Sequence, residues 1–268
     1  MRTVEQEATL DTRPLTGALG AEVRGLDVTS LDEDGFADVH ALLLQYGALA
    51  IHGQGHLTLG QLREFGMRWG ELHMHGFKPL QGFDDALLVR ADPSHPAVSD
   101  QWHTDSTWHE IPPKITMLLA RETPSVGGDT VFASQYRAYE GLSDSMKEFV
   151  DPLDARHDGR NIDPNLARQP VTHPVVITHP ETGRKALYVN GGYTKSIVQL
   201  AEKESAALLG FLFAHCTQQS YQARVSYEPG TLAIWDQRCV QHAGANDFSG
   251  ESRELHRVAV CWDARPSR

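Results

Sequence analysis

Between residues 86 and 262 the chain keeps breaking into short apolar runs, at 86–90, 115–120, 130–133, 175–178, 186–190, 231–235 and 257–262, each bounded by turn residues. Runs of this length read as strands, and their succession limits the fold more than any other feature. A helix near 136–149 and another near 201–216 interrupt the series, the latter because EKESAALLGFLFAHC is too long for a strand. Upstream, GALGAEVRGLDVT at 17–29 predicts a hairpin. Phe36, Val39 and Leu43, after a cap at Ser30 or Asp32, predict a helix that Gly47 ends. ALAIH at 48–52 then reads as a buried strand, and Leu59, Leu62, Phe65 and Trp69 predict a second helix opened by Thr58. The polar stretch 157–171 reads as a loop able to cover a site.

There is no repeated βα alternation and no Gly-rich dinucleotide or phosphate loop, so doubly wound and P-loop folds are disfavoured. The expectation is a mainly β protein with peripheral helices, a double-sheet barrel of the jelly-roll, cupin-like kind. No linker, repeat or low-complexity run divides the chain, so residues 1–268 are read as a single domain.

Charge excludes several partners. A formal net charge of −11, with no Lys/Arg run, leaves no phosphate-tracking surface, so no nucleic acid is expected. No apolar stretch reaches the roughly 20 residues a membrane span needs. The acid-bearing start MRTVEQEATLDTRP does not resemble a signal peptide, and a cytoplasmic protein is expected. Cys216, Cys239 and Cys261 are odd in number without C-x-x-C spacing, and read as small buried hydrophobes.

Histidine is abundant, with 14 residues, which directs attention to metal ligands. Trp102-His103-Thr104-Asp105 sets an imidazole and a carboxylate two residues apart, on one face if the segment is extended. A His-x-Asp pair alone carries little weight in a His-rich chain. His242, after the apolar run ending at Trp235, supplies a third candidate, and two His with one carboxylate form the facial triad of non-haem Fe(II) sites. The same donors also suit a Zn(II) hydrolase. His109, His157, His173 and His179 lack a partner at comparable spacing; His173 and His179 read as packing around Pro174 and Pro180, and Trp102 and Trp235 as packing beside the ligand segments. Arg253 offers a planar fork suited to a carboxylate at the far end of a chelating anion.

W-H-T-D at 102–105, P-S-x-G-G-D-T at 124–130, W-D-x-R-x-x-x-H at 235–242 and R-x-x-H-R at 253–257 occur in this order. With G-A-x-V-x-G-L-D-V near residue 20, F-G-x-x-x-G-E-L-H-x-H at 65–75 and H-P-V-V-x-T-H-P-x-T-G at 173–183, the chain resembles the taurine dioxygenase (TauD/TfdA-like) family of Fe(II)/2-oxoglutarate oxygenases. The resemblance implies the double-stranded β-helix fold. It makes His103, Asp105 and His242 the iron ligands, and Thr130 and Arg253 the holders of the distal 2-oxoglutarate carboxylate. His75 and Arg257 fall at positions that grip a substrate anion, and Tyr193 in a stretch that approaches the substrate. O2 is the second cosubstrate, succinate and CO2 are released, and a homo-oligomer, dimer or tetramer, is implied. Because Asp105 is present, hydroxylation, with or without subsequent cleavage, is expected and not halogenation.

The chain departs from taurine-oxidising members where substrate would be read. Lys78 stands in place of an aromatic hydroxyl, Ser99 in place of an amide, and 159–165 lacks the expected aromatic residue. The resemblance implies that Arg257, His75 and Lys78 gather around the substrate, so the expected substrate is a small molecule bearing a sulfonate, sulfate, phosphonate, phosphate or carboxylate, other than taurine. A hydrolase would have no use for the Thr130–Arg253 clamp, and a non-catalytic binding protein on this scaffold should have lost a triad member.

Overall fold

The computed structural model describes residues 10–74, 79–80, 82–92, 94, 100–160, 170–248 and 250–268. A hairpin of β1 (Asp11–Pro14) and β2 (Ala21–Arg24) leads to helix α1 (Glu33–Tyr46), strand β3 (Ala48–Ile51) and helix α2 (Leu59–Met67). Both helices start where the sequence supplies a cap. Asp32 accepts from the Gly35 amide at 2.9 Å, and Gly47, at φ 73°, closes α1 with its amide on the Leu43 carbonyl. Thr58 and Gln61 form a reciprocal capping box on α2. The hairpin lies upstream of the expected one, because β2 pairs with Asp11–Pro14, a strand too short and polar to register in the pattern.

The chain continues through β4 (Pro79–Leu80), β5 (Phe83–Ala91), β6 (Pro113–Glu122) and β7 (Thr130–Ser134). Helices α3 (Gln135–Glu140) and α4 (Asp144–Val150) replace the single helix expected over 136–149. Gly141 and the Ser143 cap, which accepts from the Met146 amide at 3.3 Å, restart the helix. Strands β8 (Asp154–His157), β9 (Val171–Pro174), β10 (Val176–Thr178), β11 (Lys185–Leu187) and β12 (Thr194–Ile197) precede helix α5 (Glu202–Cys216). Of the expected covering loop, 161–169 lie outside the described residues. The run expected at 186–190 leaves its ladder after Leu187, although Tyr188 still donates its amide to Val175 at 2.7 Å. Strands β13 (Gln222–Val225), β14 (Leu232–Asp236), β15 (Val240–Gly244) and β16 (Arg253–Cys261) close the chain, β16 beginning four residues before the apolar run at 257.

Eight strands in the order β1-β2-β3-β14-β6-β16-β5-β4 form the large sheet, and β13-β7-β15 a small one facing it. Strand alternation builds two cores on opposite faces of the large sheet. Ile115, Met117 and Leu119 of β6, Ile234 of β14, and Val258 and Val260 of β16 pack with Val39, Leu43, Leu62 and Phe65 of α1 and α2. The intervening residues Leu118, Ala120, Ala233, Trp235 and Leu255 turn inward to meet Phe132 and Val240 of the small sheet. Burying a side chain such as Leu43 or Leu118 in this way contributes about 1.5–3 kcal/mol each. Arg253 and Arg257 share the inward face with Leu255, so β16 carries two cations into the space between the sheets.

A third cluster joins α3, α4 and α5 to the β8–β12 layer and the β10–β11 pair. Among the described residues no helix is long and apolar enough to cross a membrane. The cysteines are free; Cys216 and Cys239 are buried as expected, whereas Cys261, at the solvent end of β16, is half-buried.

Candidate active site

Strand β15 brings His242 to the inner surface of the small sheet, opposite Phe132 of β7. The segment before β6 runs antiparallel against it: the His103 amide donates to the His242 carbonyl at 3.0 Å and the His242 amide to the His103 carbonyl at 2.9 Å. This single bridge sets the two imidazoles side by side, with ring centroids 4.2 Å apart. Asp105, two residues on, places Oδ1 at 3.4 Å from His103 Nε2 and 3.8 Å from His242 Nε2. The three ligand atoms lie within 4.8 Å of one another. Donors bound at about 2.1 Å around one ion sit roughly 3 Å apart, so only a small contraction is needed.

The second oxygen of Asp105 is already held. Oδ2 accepts from the Thr116 hydroxyl at 3.0 Å, from Arg257 Nη2 at 2.8 Å and from the Gln237 side-chain amide. Gln237 also accepts the Asp105 amide at 3.1 Å and donates to Thr116 at 2.8 Å. Oδ1 is thereby left facing the imidazoles. His103 Nδ1 donates to the Gln101 carbonyl at 2.8 Å, which leaves the Nε2 lone pair toward Asp105. Ser106 adopts φ 50°, the one positive φ outside glycine among the described residues, directly after this carboxylate.

Burial alone would raise the Asp105 carboxyl, but Arg257 and the two imidazoles outweigh it and hold the pKa well below the usual range. Burial, reinforced by His103, pushes His242 down to about 3. An ionised carboxylate beside a neutral imidazole is the donor chemistry a divalent first-row ion takes, so the residues fit an Fe(II) centre.

On the inward face of β16, four residues before Arg257, Arg253 is buried, donates from Nη1 to the Gly128 carbonyl at 2.8 Å and has no carboxylate within ion-pair distance among the described residues. Burial lowers its pKa, which marks a cation stripped of water. Thr130, the first residue of β7, shares a 2.9 Å hydrogen bond with the Tyr227 hydroxyl. Tyr227 was not singled out from sequence, because it lies in the β13–β14 connection with no motif around it.

The Tyr193 ring packs edge-on to His103 at 5.7 Å and to Trp108 at 4.4 Å. Trp235 lies against His242 at 4.6 Å, in the packing role expected of it. His75, Lys78 and Ser99 lie outside the described residues. His73, passed over for His75 in L-H-x-H, is buried, its pKa driven to about 4 by burial and by the charge of Arg257. Among the described residues, the one cluster of His, Cys, Asp or Glu able to hold a metal ion is His103, Asp105 and His242, and His179, His173 and His157 have other partners. His179 Nε2 bonds Asp236 Oδ2 at 3.0 Å; His173 Nε2 donates to the Thr107 and His109 carbonyls at 3.0 Å; and His157 bonds the Thr107 hydroxyl.

Residues 11–259 match the family described as taurine catabolism dioxygenase TauD, TfdA family. The chain is 35% identical over 260 residues to the alpha-ketoglutarate-dependent dioxygenase cnsM of Penicillium expansum, covering 87% of this chain and 72% of that protein. It is 31% identical over 273 residues to an alpha-ketoglutarate-dependent sulfate ester dioxygenase of Pseudomonas putida, covering 95% and 90%. Its fold is similar to the crystal structure of a taurine dioxygenase from Burkholderia xenovorans, with a TM-score of 0.85, 32% identity, and coverage of 95% and 90%.

Proposed function

The chain belongs to the TauD/TfdA family of 2-oxoglutarate-dependent dioxygenases, and from that premise we propose how its own residues divide the work. His103, Asp105 and His242 hold Fe(II). Arg253 and Thr130 hold the distal carboxylate of 2-oxoglutarate. Arg257, with Tyr193 and the stretch containing His75, Lys78 and Ser99, faces the primary substrate. The enzyme acts as one domain over residues 1–268. The convergence of three ligand atoms within 4.8 Å on a carboxylate whose other oxygen is occupied carries this reading.

Bound there, Fe(II) supplies the activation of O2 that couples 2-oxoglutarate decarboxylation, to succinate and CO2, with hydroxylation of the substrate. The protein's part is orientation and charge. Thr116, Gln237 and Arg257 fix the carboxylate plane of Asp105. Arg253, buried without a carboxylate partner among the described residues, presents a fork that a dicarboxylate can satisfy through two parallel hydrogen bonds. Tyr193 and Trp108 wall the site beside His103 and help to exclude water.

The substrate is a small anion, a sulfonate, sulfate ester, phosphonate, phosphate or carboxylate, oxidised a few bonds from that group. Arg257 and His73 lie on the Asp105 side of the site, and the Pseudomonas putida relative is named for sulfate esters. The protein works as a cytoplasmic homo-oligomer; its three free thiols suit a reducing compartment. Matched anionic and neutral analogues test the substrate class. Succinate should form with alkyl sulfates, sulfonates or carboxylates and not with the corresponding neutral ethers and alcohols, and equal turnover of the neutral set contradicts it.

A further inference from the structure

The turn Gly127-Gly128-Asp129-Thr130 lies between two arginines that the chemistry treats differently. Arg253, on the inner side of β16, donates to the Gly128 carbonyl at 2.8 Å. Arg224, on β13 opposite Val131 of β7, ion-pairs through Nε with Asp129 Oδ2 and through Nη2 with Asp247 Oδ2 at 2.6 Å. Ser226 adds a 3.0 Å hydrogen bond to the same Asp129 oxygen. Asp247 in turn accepts the Gly128 amide at 3.0 Å. Both glycines have positive φ, 82° and 71°, and a Cβ on Gly127 would stand 2.5 Å from Asp247 Oδ1. The turn is therefore tied to Arg224 through two carboxylates and to Arg253 through a carbonyl only.

Asp129 is the carboxylate whose charge reaches Arg253, and its side chain is only 7% exposed. Tyr227, the other acidic group beside Arg253, has its hydroxyl pushed up to about 12 by burial and is neutral at pH 7. Left to itself, a buried carboxylate takes the nearest cation. With Asp129 released, that cation is Arg253. The ion pair so formed would compete with any carboxylate ligand for the same fork.

We propose that Arg224 is a positioning residue for the cosubstrate: by engaging Asp129 it keeps the guanidinium of Arg253 available to the distal carboxylate of 2-oxoglutarate. The role rests on Arg253 being the cosubstrate-binding residue, as read above. It requires no contact between Arg224 and the cosubstrate, and it gives the aspartate of G-G-D-T a defined partner.

Calorimetric titration of 2-oxoglutarate into Mn(II)-loaded protein without O2 reads binding apart from turnover. Arg224→Ala should weaken 2-oxoglutarate about tenfold or more, the scale of one hydrogen bond to a charged group. Arg224→Lys should retain most of the affinity. Adding Asp129→Asn to Arg224→Ala should restore binding to within about threefold of the parent, because the competing charge is gone. A purely structural lesion would not be repaired by a second substitution. Arg224→Gln serves the same comparison if the alanine variant does not fold. Parent-like affinity in Arg224→Ala, or a double variant as weak as the single, overturns the proposal. An Arg253→Lys variant run alongside separates the two readings. If it binds 2-oxoglutarate like the parent, the premise fails and the proposal with it; if it is weakened while Arg224→Ala is not, the proposal alone fails.

Discussion

A carboxylate that offers one oxygen to a metal must have the other oxygen held, and at Asp105 Thr116, Gln237 and Arg257 do so. Gln237 matters most, since it ties the Asp105 amide, its carboxylate and the Thr116 hydroxyl together. Gln237→Leu should therefore lower Mn(II) or Fe(II) affinity about 10–100-fold while leaving far-UV circular dichroism unchanged. Calorimetric titration with Mn(II) checks it, and parent-like affinity would mean that Thr116 and Arg257 suffice. The three residues that converge were legible, because His-x-Asp spacing and the W-D-x-R-x-x-x-H run mark their segments. Their supports were not. Thr116 reads as an ordinary β-branched strand residue, and only the fold puts it beside Asp105. The sequence offers Arg257 only as a substrate-facing cation, yet one of its nitrogens rests on Asp105.

At the scale of elements, the β14–β15 turn leads into the strand that carries His242 and is held by buried charge. Arg238, 3% exposed, bonds Asp236 through Nε at 2.9 Å and Nη2 at 2.6 Å and Glu181 through Nη1 at 2.7 Å, while His179 closes the other side of Asp236. Arg238→Met would leave the buried Asp236 without its cation and should destabilise by about 3–5 kcal/mol in chemical denaturation. A loss below about 1 kcal/mol would show that His179 alone satisfies the carboxylate. The β8–β9 pair braces the ligand segment from behind, with His173 donating to Thr107 and His109. Burial drives His173 down to about 4. An unfolded histidine titrates near 6.5, so between those values the unfolded chain binds a proton that the folded chain refuses. The share of stability due to His173 is fully present above about 6.5 and falls as pH drops toward 4; His173→Gln, which keeps a donor for the carbonyls, should reduce the slope of the denaturation midpoint across that window by about one proton, the other buried histidines keeping theirs. An unchanged slope would assign it elsewhere. The braces made by His173 and His179 escaped the sequence because each joins residues more than 50 positions apart. Local signals fared better: the Thr58 and Asp32 caps and the Gly47 stop define α1 and α2, and Gly141 with the Ser143 cap breaks α3 from α4, whereas β1 depended on its pairing with β2.

For the whole molecule, strand alternation gives the large sheet an apolar face for α1 and α2 and an inner face where Arg253 and Arg257 replace apolar residues, opposite the His103–Asp105–His242 cluster. That architecture was legible as short strands with peripheral helices, and the ordered motifs gave the family; the loops nearest the substrate were the least constrained by either. The net charge of −11 makes the buried Arg253 and Arg257 local exceptions, placed by β16 at one register. The site therefore works as one unit only if metal, 2-oxoglutarate and substrate meet there in order. An anaerobic optical titration measures this directly. Fe(II) and 2-oxoglutarate added together should give a metal-to-ligand charge-transfer band in the parent, absent from Asp105→Ala and shifted by an anionic substrate analogue. If the band fails to form in the folded parent, or persists undiminished in Asp105→Ala, His103, Asp105 and His242 are not the iron site and the central claim is wrong.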